Sequence, residues 1–192
     1  MIPDIIEPDL SDPFRLRNLA MRPILVFVIA FCVLAGSTFC QAAPLNDPLL
    51  ERLAGTWVLS GTIARKQTTH DVNAEWMLDH QYLRIHEVSR EKNNQGKPQY
   101  EAVVLIGWDA NLSAYQCLWL DTTGGDGLRA EGIGQGKRDG DAIPFIFKER
   151  DGSISFSNTF SFDKSDGSWS WKMDNIKDGK AISFGLVKLT KQ

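Results

Sequence analysis

Cysteine is scarce in this chain. Three occur in 192 residues, and two of them, Cys32 and Cys40, fall within the first 42. Cys117 stands alone in the remainder, so no disulfide can form there and the fold must rest on its core. No His or Lys adjoins it in sequence, and Cys117 reads as a buried, unreactive thiol. A basic field is also lacking. The net charge is −3. Residues 1–42 hold three basic and four acidic residues, so 18 of 21 basic and 20 of 24 acidic residues lie beyond them. Nothing here draws in nucleic acid or anionic lipid.

Long apolar runs are missing too. The longest uncharged one, residues 24–35, has 12 residues, where a membrane-spanning helix needs about 20. Arg22 precedes this run closely, and Cys40 and Ala42 occupy small-residue positions before Ala43. That is the layout of a secretory signal peptide, read as residues 1–42 with an amino-terminal extension. The four acids of residues 1–20 are unusual in such a signal, and Met21 offers an alternative start. The expected product is a periplasmic or secreted protein comprising residues 43–192, with no membrane span once the signal is removed. Only three histidines occur, His70, His80 and His86, and none has metal-binding spacing, so no metal is expected. No nucleophile elbow, P-loop, dinucleotide fingerprint or histidine–glutamate zinc motif is present, and no cofactor or catalytic residue is assigned.

What is present is alternation. Asp47-Pro48 through Gly55 carries an N-cap, a proline for the first helical position and a terminating glycine, which predicts one or two helical turns. Strands follow at about 56–64, 70–78, 80–90, 100–108, 114–122, 128–137, 142–149, 153–163, 168–175 and 181–190. Residues 70–78 show the pattern plainly, with Val72, Ala74, Trp76 and Leu78 against Asp71, Asn73 and Glu75. Asp-Gly pairs at 151–152 and 178–179 are hairpin turns. Gly132, Gly134 and Gly136 suggest a bent or edge strand. About ten strands with hairpin-length links and no intervening helix exclude parallel architectures. An all-β, up-and-down antiparallel barrel with a short N-terminal helix is expected, because closure removes exposed edges. A barrel of eight or more strands has room for a small ligand.

Specific stretches sharpen this. Leu53-Ala-Gly-Thr-Trp57 is similar to the Gly-x-Trp start of lipocalin-like barrels. Residues Trp76–Leu83, Leu105-Ile-Gly-Trp-Asp109 and Tyr115–Asp121 together resemble a bacterial family of uncharacterised lipocalin-like barrel proteins. The resemblance covers about residues 49–190 and implies the fold without an activity. At Asp79-His80-Gln81 that family often has Gly-Gly-Arg, so the turn here must be built differently. A neighbouring barrel class binds haem through a late histidine. Residues 87–192 contain none, which disfavours haem here.

The candidate ligand-binding residues follow from shared faces. Asn158 lies on a face with Phe156 and Phe160, where a buried amide needs partners. Trp76, Trp169 and Trp171 with Phe145 and Phe147 are further candidates for the cavity lining. Arg84 joins them if its strand turns that face inward, although the alternative, Leu83 and Ile85 inward with Arg84 and His86 in solvent, is favoured. The leading expectation is a binder of a small apolar ligand, with a second copy of the chain as a further partner in a homodimer. An enzyme using the barrel as a cup needs two of Glu101, Glu131, Arg84 and His86 converging in one cavity. A third reading, an envelope interaction module without ligand, requires a filled core and an exposed apolar patch. Mass spectrometry of the exported protein is expected to find a chain starting near Ala43; an intact residue 1–42 segment overturns that assignment.

Overall fold

A computed structural model describes residues 44–124 and 127–192. The expected export segment, residues 1–42, lies outside the described residues together with Cys32 and Cys40. The described residues form one short helix, α1 (Pro48–Glu51), and ten strands. These are β1 (Gly55–Ile63), β2 (Lys66–Met77), β3 (Tyr82–Ser89), β4 (Glu101–Asp109), β5 (Ala114–Asp121), β6 (Ile133–Gly136), β7 (Ala142–Lys148), β8 (Ile154–Asp163), β9 (Ser168–Lys177) and β10 (Lys180–Lys191). Each strand pairs antiparallel with its neighbours in sequence, and β1 pairs with β10, closing the barrel. The expected up-and-down barrel with its short helix is the observed fold. Among the described residues no helix is long and apolar enough to cross a membrane.

Alternating hairpins place the β2–β3, β4–β5, β6–β7 and β8–β9 turns at one end and the remaining links at the other. The segment before β1 plugs the first of these ends. Leu49, Leu50 and Leu53 are fully buried there. The Asp47 carboxylate caps α1, accepting the Leu49 N–H at 2.6 Å and the Leu50 N–H at 3.2 Å. It also accepts the Tyr115 hydroxyl from β5. Two indoles tie the plug from below: Trp57 Nε1 donates to Leu53 O at 2.8 Å, and Trp169 Nε1 donates to Arg52 O at 3.3 Å. The Asp47-Pro48 signal thus does more than start a helix, because it anchors the helix to the far wall.

Several expectations need correction. The strand expected over 128–137 shortens to β6, preceded by a 3-10 turn at Ala130–Gly132. β6 is no edge, since it pairs with both β5 and β7. Its glycines make room instead. A Cβ on Gly134 would lie 2.6 Å from the Phe147 ring, and one on Gly136 would lie 2.7 Å from Pro144 O. Leu78 leaves the buried face of β2 and is exposed in the turn to β3. There Leu78, Asp79 and His80 take φ of 50°, 54° and 58°, a left-handed run without glycine. This turn is therefore built differently from a glycine pair, as the sequence required. The Gln81 N–H returns to Met77 O at 3.2 Å, and Leu45 N donates to His80 O at 2.8 Å. The outer face of the β4–β5 hairpin is not covered by α1: Val103, Leu105, Leu118 and Leu120 remain half-exposed there.

Cys117 is buried, and that burial pushes its thiol pKa up, matching the inert reading. Asp47→Ala is expected to lower stability by about 2 kcal/mol, the upper end for a lost N-cap, because Tyr115 loses its acceptor as well. Urea denaturation measures this; an unchanged midpoint would show that the plug does not depend on Asp47.

Candidate functional site

Above the plug the interior divides. The closed half is solid, filled by Trp57, Leu59, Ile143, Phe145, Phe160 and Trp169, all essentially inaccessible. The open half holds a cavity of about 600 Å³ that reaches the mouth. The inward rows change character between the halves. β3 passes from Leu83 and Ile85 to Glu87 and Ser89, β2 passes from Ala74 and Val72 to His70, and β8 passes from Phe160 to Asn158.

Four of the sequence candidates border this cavity: Phe147, Phe156, Asn158 and Trp171. The other five do not. Phe145, Phe160 and Trp169 share the same inward face but sit too deep and pack the closed half. Phe160 forms its upper layer, stacked on Trp171 at 4.6 Å. Trp76 is half-buried at the plugged end, stacked on His80 at 5.2 Å. Arg84 faces outward and pairs with Glu75 at 3.1 Å, because Leu83 and Ile85 take the inner face. The acid–base set fares similarly. His86 and Glu101 pair on the outer face at 2.8 Å. Of the four, only Glu131 touches the cavity, and it is held by Arg150 at 2.8 Å. The convergence required of that enzyme is not met.

Two walls of different chemistry enclose the space. One is apolar, with Phe147 on β7, Phe156 on β8, Trp171 and Met173 on β9, and Phe184 on β10. Asn158 interrupts it. The residue is 1% exposed, and among the described residues neither amide atom has a hydrogen-bond partner. The Trp171 Nε1 is likewise unpartnered within the cavity wall, as is Trp76 Nε1 at the plugged end.

The opposite wall is a hydrogen-bonded chain absent from the sequence candidates. His70 Nδ1 donates to Glu87 Oε1, and both side chains are almost wholly buried. His70 Nε2 meets Thr68 Oγ1 at 2.6 Å, and Thr68 Oγ1 reaches Glu91 Oε2 at 3.2 Å. Glu91 also accepts the Thr69 N–H at 3.0 Å. Burial raises the Glu91 pKa, but hydrogen bonds from its own backbone N–H, the Thr69 N–H and the Thr68 hydroxyl, with the nearby His70, outweigh it, and the net shift is downward. Tyr100 stacks on His70 at 5.6 Å and accepts the Trp119 Nε1–H at 3.0 Å. Its phenol stays neutral, pushed up by burial and by the charges of Glu87 and Asp121.

Hydroxyl, imidazole and carboxylate in this order are the arrangement of an activated nucleophile. Here one Thr68 proton serves two acceptors. A carboxylate stands at each end of this hydrogen-bonded chain. Among the described residues no three His, Cys, Asp or Glu side chains gather as metal ligands.

Sequence reasoning missed this wall because it paired faces along strands but not across them. The available signal was the continuation of the apolar face Leu83–Ile85 into Glu87. A wider, shallow depression of about 1050 Å³ lies outside the barrel beside β6 and β7, lined by residues such as Gln135 and Pro144. No protein-family model matches the chain, and a search of curated proteins finds no match.

Removing one partner of a buried carboxylate–imidazole hydrogen bond leaves the other unsatisfied and costs on the order of 3–5 kcal/mol, whereas replacing both by apolar groups costs far less. Glu87→Leu alone should therefore destabilise strongly, and adding His70→Leu should recover much of the loss. Chemical denaturation of the two single variants and the double variant forms the cycle; additive effects would show that the pair is not coupled.

Proposed function

We propose that the protein is an exported barrel of lipocalin-like type that binds one small, largely apolar molecule in its open half. The observation that carries this reading is the Asn158 amide, buried and unpartnered in the wall of an apolar cavity. A buried polar group without a partner costs about 1–3 kcal/mol, so such groups are ordinarily satisfied. A ligand polar group seated against Asn158 and Trp171 Nε1 supplies the missing bonds while its apolar part covers Phe147, Phe156 and Phe184. The volume supports the same reading, since ligand sites typically fall between about 300 and 1,000 Å³. A filled core, which an interaction module without ligand requires, is not what this interior offers. Export, and residence in the periplasm or outside the cell, belong to this proposal through the signal-like segment 1–42.

Asn158→Leu separates the ligand role from a structural one. An amide kept for a ligand is dispensable to the empty fold, so its replacement is expected to stabilise the protein by about 1 kcal/mol. The same change should weaken binding of 1-decanol at least tenfold, read by quenching of Trp119 and Trp171 fluorescence. Loss of stability with unchanged decanol binding would overturn the proposal. Native mass spectrometry of the protein taken from its own host reads the bound molecule directly.

A further inference from the structure

The two walls differ in charge as well as in polarity. Glu87, Glu91, Asp121 and Glu131 border the cavity, and the only cationic side chains among its described lining residues are Lys66 and His70. Arg150 neutralises Glu131 from outside. The three other carboxylates still outnumber the two cations, even with His70 fully charged. Glu91 remains an anion because the Thr69 N–H and the Thr68 hydroxyl bond its charged form. Asp121 is held as an acceptor by the Thr123 N–H at 2.7 Å and the Thr123 hydroxyl at 2.6 Å. The lining therefore carries a net negative charge in a space partly shielded from water, where a charge acts more strongly than on an open surface. A carboxylate ligand is repelled there.

Aromatic faces add to the selection. Trp119 and Tyr100 stand beside Asp121 and Glu87, and indole and phenol faces attract cations through their quadrupoles. A carboxylate cluster alone need not be a site. Here it faces a second and independent feature, the buried amide of Asn158, which has no partner among the described residues.

We propose that the cavity selects a cationic amphiphile, an amine whose ammonium group faces the Glu87–Asp121 wall while its apolar body lies on Phe147, Phe156 and Trp171. Asn158 takes a neutral polar group, a hydroxyl or an amide, on that body. The barrel discriminates against fatty acids of the same length. This rests on the reading of the barrel as a ligand binder.

Three probes of matched length test it: decylamine and decanoate below their micelle concentrations and 1-decanol below its solubility limit, all at neutral pH, titrated against the full chain by tryptophan fluorescence and by native mass spectrometry. The expected order is decylamine, then decanol, then decanoate, with at least tenfold between amine and acid, or about 1.4 kcal/mol. Asp121→Asn, at the rim, should weaken decylamine several-fold and leave decanol unchanged; retained decanol binding also shows that the variant is folded. Equal binding of amine and acid, or tighter binding of the acid, overturns the charge selection and leaves the ligand-binding barrel standing. Failure of all three to bind overturns both.

Discussion

A closed sheet of ten strands encloses more width than its own inward side chains can fill. Every large feature of this interior is a response to that width. At one end the chain inserts its own segment, with Leu49, Leu50 and Leu53 supplying the bulk that the strands lack. Phe145, Phe160 and Trp169 complete the layer above it. Among the described residues nothing equivalent enters from the other end, and the space there is the cavity. Asp47 therefore governs more than one short helix. By bonding both α1 and Tyr115 it fixes how far the plug enters, and so where the solid half stops.

The wall built from β2, β3 and β5 is costly by the usual measures of stability. A buried ion pair seldom outperforms apolar residues of similar volume, since desolvation consumes much of the attraction. Isoleucine at position 87, following Leu83 and Ile85, would extend the core at less cost. Glu87 instead requires His70, His70 is bonded by Thr68, and Thr68 leans on Glu91. Three side chains on two adjacent strands, with Glu91 just past the end of β3, are committed to keeping polar groups inside. The opposite wall shows the same economy in reverse, with an amide set among rings and left open. Both are understandable if the interior is shaped for contents other than its own side chains.

Much of the fold could be read directly from the residues. Period-two alternation and Asp-Gly turns are local signals, and local signals survive in a meander where each strand pairs with its neighbour. The short helix was equally plain, because its cap and its proline lie side by side. The site was only half legible. Phe147, Phe156, Asn158 and Trp171 could be found because alternation tells inward from outward. Alternation says nothing of height, so Trp169 and Phe160, on the same inward faces, were grouped with them. Height depends on which end is plugged, a property of the packed chain. The His70–Glu87 pair lay further out of reach: it spans two strands, and its contact depends on the β2–β3 register, which sets Val72 opposite Glu87 and His70 opposite Ser89. Arg84 was a candidate only if its strand turned that face inward; the favoured alternative, Leu83 and Ile85 inward with Arg84 outward, is the arrangement found.

The seam that closes the barrel joins its first and last strands. Trp57 lies opposite Lys191, and the Gln192 N–H donates to Thr56 O at 3.1 Å. Every other pairing links strands that are adjacent along the chain, whereas this one spans the whole domain. The entropy of bringing distant segments together makes such contacts the slow part of folding. Until β10 exists, β1 and the growing strand behind it are both open edges able to recruit another chain. The interval between the appearance of β1 and that of β10 is thus the period in which this protein is most exposed to misassembly.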